Sequence, residues 1–285
     1  MKIFATITGL MILCHGGAFC ASGPGSSVDS QTPRVEPLLD QGYREMYNLK
    51  FDEAHKTFAR YEQQHPADPL GPVSDSAAWL FSEFERLDIL RSDFALNDDN
   101  FFSSHRALAA DPSVKKGFEA DILKTQQLAE AGLHRNPPDP NAMFASTLRL
   151  GLHADYTALI EKRSLAALSE VKQARMEADR LLSTHPTYYD GYIAIALENY
   201  LLSLKPAPVR WFLRATGAQT DRQTGIEKLR LTADHGHYLL PYARLLLAVA
   251  ALRDNNRLQA KQGLQWLATE FPGNKLYREE LDKLN

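Results

Sequence analysis

Apolar residues recur at intervals of three and four along nearly all of the chain after residue 36, as they do on one face of an α-helix. Alternating β-branched and polar residues, which would predict strands, are nearly absent. Prolines fall between the periodic stretches, where they end helices because proline lacks an amide donor. The pattern predicts helices near 37–49, 51–64, 73–92, 115–134, 140–160, 164–184, 188–204, 223–235, 239–253 and 257–270, with a short one at the end. The chain is therefore expected to be all-α.

The beginning of the chain has a different pattern. Lys2 supplies a positive charge, residues 3–14 are almost all apolar, and small residues follow. This is the layout of a secretory signal, and the run falls short of the about 20 apolar residues that span a bilayer. We expect a signal peptide over 1–21, a Ser-, Gly- and Pro-rich flexible linker over 22–36, and a helical domain over 37–285. The mature chain should be periplasmic or secreted, with no transmembrane segment.

Both cysteines of the chain, Cys14 and Cys20, fall in the predicted signal. Cleavage after Cys20 would leave a mature protein without thiols or disulfides, while cleavage after Ala18 or Ala21 stays open. A lipoprotein anchored through Cys20 is the less favoured alternative, because Phe19 stands where lipoprotein processing prefers a small residue.

Composition and charge narrow the classes of protein. Hydrophobic residues make up 44% of the 285 positions and charged residues 24%, which excludes a wholly disordered chain. The 32 Lys and Arg residues against 35 Asp and Glu give a formal charge of −3. This balance lacks the basic excess that neutralises phosphates, so nucleic acid is not an expected partner.

Three segments share one spacing, in which an alanine precedes a helix-ending proline by twelve residues. The pairs are Ala54 with Pro66, Ala174 with Pro186, and Ala260 with Pro272. A small residue lets two helices approach to about 8–10 Å, and the large apolar residue one turn later fills the adjoining groove. The segments are therefore predicted to be similar helix pairs.

These spacings resemble the tetratricopeptide repeat of exported bacterial proteins. The matching positions are Gly42, Phe51, Ala54, Phe58 and Pro66 in the first unit and Ala248, Ala251, Ala260, Leu264 and Pro272 in the last. The intervals between closing prolines are not multiples of the family's period of about 34, so the repeats are degenerate. The resemblance implies a right-handed α-solenoid of about five helix pairs with a concave groove, no catalytic residues, and a protein or peptide ligand.

Two sets of residues are candidates for contact with a partner. Tyr43, Tyr192 and Tyr200 fall on the helices that line the groove in the repeat family, and tyrosine suits recognition because it gives large contact area at little entropic cost. They are equally common as core residues.

The second set lies in residues 206–214, which interrupt the helical pattern. Arg210 and Arg214 flank Trp211 and Phe212 in an amphipathic patch that fits anionic lipid headgroups or an acidic partner. The structural alternative, in which the aromatic rings fix an inserted loop to the helices, is favoured over the patch.

Catalytic and cofactor motifs are missing from the sequence. We find no Gly-x-Ser-x-Gly elbow, no phosphate-binding Gly-x-x-x-x-Gly-Lys loop and no Gly-x-Gly-x-x-Gly fingerprint. His235 and His237 form a close pair without further ligands, and we interpret carboxylates such as Glu83, Glu85 and Asp88, or Asp98 and Asp99, as solvated helix faces. No catalytic, metal or cofactor site is predicted.

The sequence favours a non-enzymatic scaffold of the bacterial cell envelope that binds a protein or peptide. The alternative is a cell-wall hydrolase or lyase built on a helical superhelix. A third class, peripheral contact with a membrane through residues 210–214, is also retained.

Overall fold

The computed structural model describes residues 36–91, 96 and 108–284. Those residues contain twelve α-helices and no strand, so the all-α prediction is confirmed for them. The helices are α1 (Pro37–Tyr47), α2 (Phe51–Gln64), α3 (Leu70–Arg86), α4 (Pro112–Leu133), α5 (Pro140–Asp155), α6 (Ser164–Thr184), α7 (Tyr192–Ser203), α8 (Ala207–Ala215), α9 (Arg222–His235), α10 (Leu240–Arg253), α11 (Arg257–Glu270) and α12 (Lys275–Asp282).

Several helix boundaries follow directly from local sequence. α4 and α5 begin with proline, which is tolerated in the first turn because its missing amide would have no partner there. The side chains of Asp111 and Asp139 cap these helices by accepting amide hydrogen bonds from Ser113 (2.8 Å) and Asn141 (2.9 Å). Predicted and observed ends agree closely at α2, α6 and α11, each of which ends two residues before a proline.

The helix predicted over 73–92 ends at Arg86, and the one predicted over 188–204 begins at Tyr192, after a 3-10 turn, Tyr189–Gly191. Two further segments differ from the predicted helices. The single helix expected over 140–160 is α5 followed by a π-helical turn, Tyr156–Ile160. Residues 207–215, expected to interrupt the helical pattern, form α8. The sequence did not predict this helix, because Pro206 and Pro208 near its start indicated a break. Proline is nevertheless compatible with the first turn of a helix.

The helices pack in chain order with one omission. Each helix from α1 to α7 contacts the next one along the chain, and the same holds from α9 to α12. α7 packs directly against α9, so α8 is an insertion beside the stack. The alanines of the repeated spacing, Ala54, Ala174 and Ala260, are buried between helices, as predicted from their small size.

The first helix also contacts the last ones, which an open stack would not allow. The Tyr47 hydroxyl donates a hydrogen bond to the Tyr238 carbonyl at 2.9 Å, and Arg44 pairs with Glu270 at 2.7 Å. The rings of Tyr43 and Tyr238 stack with centroids 4.8 Å apart. Most helix contacts join neighbours along the chain, as expected, and these contacts between the two ends of the helical domain add to them.

The N-terminal predictions fall outside the described residues. They are the signal peptide over 1–21, the linker up to residue 35, and the cleavage or lipidation of Cys20; Asp98 and Asp99 also lie outside. Among the helices that the structure describes, none combines the length and apolar character needed to cross a bilayer.

Candidate functional site

An apolar cavity of about 560 Å³ lies among the helices. Its wall is built from α1, α3, α5, the π-helical turn, α6, α7, α8 and α10. Most lining residues are aliphatic, aromatic or small, including Met46, Phe81, Phe144, Leu148, Leu152, Leu168, Val171, Ile193, Leu197, Leu201 and Leu239. This volume falls in the range of about 300–1,000 Å³ that is usual for small-molecule sites.

Small residues on facing helices leave this space open. Gly151 and Ala154 on α5 line it, as do Ala167 and Ala174 on α6 and Ala194 on α7. A Cβ added at Gly151 would meet no atom within 4 Å. Since protein interiors contain few voids larger than a water molecule, a space of this size is an unusual feature of a core.

The cavity reaches the protein surface beside α8. Leu165 and Val209 both line it and are 86% and 43% exposed. Leu213, on the inner side of α8, also lines it but is buried. A ligand could therefore enter between the start of α6 and α8.

Asp155, the last residue of α5, is the one carboxylate among the described residues that line the cavity. Within the described part of the chain its side chain makes no hydrogen bond and no ion pair. Burial raises the pKa of this carboxyl to about 7, because the surroundings disfavour its charged form. An acid in such a site can be neutral or charged near neutral pH.

Tyr242 on α10 is the aromatic neighbour of this acid in the wall. Burial raises the pKa of its hydroxyl well above the ordinary value, and the charge of Asp155 raises it further. Its ring contacts Phe81 edge-on with centroids 5.5 Å apart. Tyr242 therefore stays a neutral hydroxyl at every physiological pH.

The π-helical turn immediately follows Asp155. The amide of Glu161 donates to the carbonyl of Tyr156 at 3.2 Å, five residues back, as in a π-helix. Such wider turns often occur at functional sites. The turn places Ala158 and Leu159 in the cavity wall next to the acid.

The structure buries two of the three tyrosines that were predicted to line a groove. Tyr43 is 4% exposed and lines the inner cavity, and Tyr200 is 2% exposed, with the Arg222 guanidinium 5.8 Å from its ring centre. Tyr192 is half-buried, and its hydroxyl donates to the Pro186 carbonyl at 3.2 Å. Of the two alternatives that the sequence left open, Tyr43 and Tyr200 take the core position, because neighbouring helices cover both rings.

The second predicted set lies on and around α8. Trp211 and Phe212 are 73% and 62% exposed, so they do not fix this segment to the helices; the buried Leu213 does. Arg210 donates to the Lys205 carbonyl at 2.9 Å, and Arg214 to the Thr220 hydroxyl at 2.6 Å. The favoured structural role of the two aromatic rings is wrong, and both remain accessible to a partner.

Carboxylates also gather away from the cavity. Glu62, Asp75 and Asp121 bring ligand oxygens within 4.8 Å of one another and could together hold a cation. Burial and the charges of Asp75 and Glu62 raise the pKa of Asp121 to about 7, while the Trp79 indole donates to it at 3.1 Å. His55 bonds Asp75 at 2.5 Å.

One carboxylate interpretation is corrected by the structure. Glu83 is fully buried instead of lying on a solvated face. It accepts hydrogen bonds from Arg86 at 2.7 Å and from the backbone amide of Asp111 at 2.8 Å. Its role is to join α3 to the start of α4.

Sequence reasoning missed Asp155 and the Glu62–Asp75–Asp121 cluster. For Asp155 a signal was present, because Gly151, Ala154 and Ala158 place small residues on successive turns around an acid. For the cluster there was none, since its members lie on α2, α3 and α4.

No family model matches this chain, and no match was found among curated proteins or solved structures.

Proposed function

We propose that this chain is a non-enzymatic binding protein of the cell envelope whose cavity holds an apolar ligand. The single observation that carries the proposal is the apolar space of about 560 Å³ that reaches the surface at Leu165 and Val209. An apolar group transferred into such a space leaves water, which stabilises the complex by about 25 cal/mol for each Å² buried.

The sequence supports the remaining parts of the proposal. The signal-like segment over 1–21 indicates export, and the degenerate spacing resembles tetratricopeptide repeats. We propose a right-handed superhelix of such helix pairs whose ends meet, so that the groove of an open array becomes an inner cavity.

The exposed rings of Trp211 and Phe212 support a contact with a protein, a peptide or a membrane surface beside the cavity opening. Arg210 and Arg214 stand on the same helix and add positive charge to that surface. In this proposal α8 is the part of the molecule at which a ligand is delivered or released.

Binding of the neutral fluorescent probe N-phenyl-1-naphthylamine tests the cavity. We expect saturable binding with a stoichiometry of one, and loss of that binding in Gly151→Leu, which fills the cavity without displacing an atom near Cβ. The matched control is Ala59→Leu on the exposed face of α2, which should bind as the wild type does. Absence of saturable binding, or equal binding by a folded Gly151→Leu, would disprove the proposal.

A second candidate function is the cell-wall hydrolase or lyase. The observation that favours it is the Asp121 carboxyl, whose pKa of about 7 suits a general acid, with Asp75 and Glu62 close by. Incubation of the purified protein with peptidoglycan tests it. Soluble fragments that disappear in Asp121→Asn would support this function, and no release would remove it.

A further inference from the structure

We propose that the cavity binds an amphiphile with a protonated amine, whose ammonium group pairs with Asp155 while its apolar body fills the cavity. This inference rests on the proposed function, because it names the chemical class of the ligand for the same cavity.

The Asp155 side chain is a polar group in a mostly apolar wall. It lines the cavity, is half-buried, and no donor among the described residues bonds its oxygens. A carboxylate that faces an apolar wall is normally paired or hydrogen-bonded, and one without a partner requires an explanation. A donor supplied by the ligand would provide the missing partner.

The rest of the cavity wall is mostly apolar. The other polar lining groups are the hydroxyls of Thr147 and Ser164, three tyrosines, and the Lys205 side chain on the connection between α7 and α8. Lys205 has interactions of its own. The apolar wall fits a hydrocarbon body, and in the part of the chain that the structure describes Asp155 is the one lining group that offers a negative charge to it.

Asp155 favours an amphiphile with a cationic head group over one with an anionic or a neutral head group. An ammonium ion opposite a carboxylate in an apolar site forms a charge-assisted hydrogen bond, about twice as strong as a neutral one. A carboxylate head would face a like charge whenever Asp155 is ionised. A neutral alcohol would gain a hydrogen bond but no attraction between charges.

The pairing predicts a dependence of affinity on pH. Below pH 7 the free protein carries a proton on Asp155 that must leave before the ammonium binds, so binding of an amine should weaken as the pH falls. Besides Asp155, the titratable groups that line the cavity among the described residues are Tyr43 and Tyr47 on α1, Tyr242 on α10, and Lys205. Burial raises the pKa of each tyrosine, so none of the three changes charge between pH 5.5 and 8.

Isothermal titration with three ligands of equal chain length tests the inference on the full mature chain. Decylamine, decanol and decanoate are titrated at pH 8 and pH 5.5. We expect decylamine to bind at least about 10-fold more tightly than decanol at pH 8, with decanoate weakest. Its affinity should fall by about 30-fold at pH 5.5, while that of decanol changes little.

Asp155→Asn should reduce the affinity for decylamine to that for decanol and remove its dependence on pH. Asp234→Asn, which changes an exposed carboxyl on α9, is the matched control and should retain both properties. An asparagine keeps the size of the side chain, and a thermal melt of each variant verifies folding.

The outcomes separate the inference from the proposed function. If the three ligands bind equally, or if decylamine binding is unchanged in Asp155→Asn, the cavity is an apolar site and the pairing is wrong. Tightest binding of decanoate would also overturn the pairing. If no ligand binds at either pH, the proposed function itself fails, and the inference fails with it.

Discussion

The Tyr47 hydroxyl donates a hydrogen bond to the Tyr238 carbonyl at 2.9 Å, although 191 positions separate the two residues. Tyr47 ends α1, and Tyr238 lies just before α10. Both residues are 4% exposed, so water cannot replace the bond. The contact joins the first helix to the C-terminal helices and closes one side of the cavity that Tyr47 lines.

Loss of this bond should destabilise the protein. Tyr47→Phe removes the hydroxyl and leaves a buried carbonyl without its donor, which costs about 1–3 kcal/mol in the free energy of unfolding. Tyr192→Phe is the control, since its hydroxyl bonds the exposed carbonyl of Pro186 and its loss should change stability by less than about 0.5 kcal/mol. Urea denaturation measures both, and equal effects would contradict a closed arrangement.

Two glycines with equal room for a methyl group should respond in opposite directions. Neither Gly151 nor Gly217 has an atom within 4 Å of an added Cβ. Gly151 lies inside α5, so Gly151→Ala should stabilise the protein by about 0.5–1 kcal/mol. Gly217 has φ of 86°, so Gly217→Ala should destabilise it by about 1–2 kcal/mol. Thermal unfolding distinguishes the two, and shifts of the same sign would contradict this prediction.

The ligand-free protein should become more stable as the pH falls from 8 to 5.5. The Asp155 carboxyl has a raised pKa of about 7 when folded, against about 3.9 when unfolded, so the folded state binds the proton more tightly in this range. Between pH 8 and pH 5.5, protonation of Asp155 adds about 2 kcal/mol to the free energy of unfolding.

Asp155→Asn should lack this pH-dependent stabilisation, and it should be more stable than the wild type at pH 8. Asp121, with a pKa also near 7, makes a separate pH-dependent contribution to the free energy of unfolding, which Asp121→Asn would remove. Urea titrations at several pH values measure each contribution. The same dependence of stability on pH in the wild type and in both variants would show that neither acid has the raised pKa.

Phe58 tests the packing that the repeat spacing predicts. Its side chain is fully buried beneath Gly42, where an added Cβ would collide with the Phe58 ring. Phe58→Ala should cost about 3–5 kcal/mol in the free energy of unfolding, because it removes apolar contacts and leaves a cavity. Phe212→Ala, at a ring that is 62% exposed, should cost far less. Equal melting temperatures of these two variants would argue against the assigned helix pairing.

Local signals accounted for most helices but not for α8 or for the π-helical turn. Helix periodicity and proline positions act over a few residues, so they predicted α2, α6 and α11 closely. α8 was missed because its prolines signal a break and a helix start equally well. The π-helical turn after Asp155 continues the same helical periodicity, so the sequence carried no mark of it.

By itself, the sequence determined that the domain is all-α and that Ala54, Ala174 and Ala260 lie between helices, because these properties depend on spacing along a single segment. Only the tertiary structure decided that Tyr43 faces an inner space and that Asp155 lies in an apolar wall with no bonding partner among the described residues. Burial of a side chain depends on which distant helices cover it. Here that covering comes from α1 meeting the C-terminal helices, through contacts between residues about 200 positions apart that no local pattern encodes.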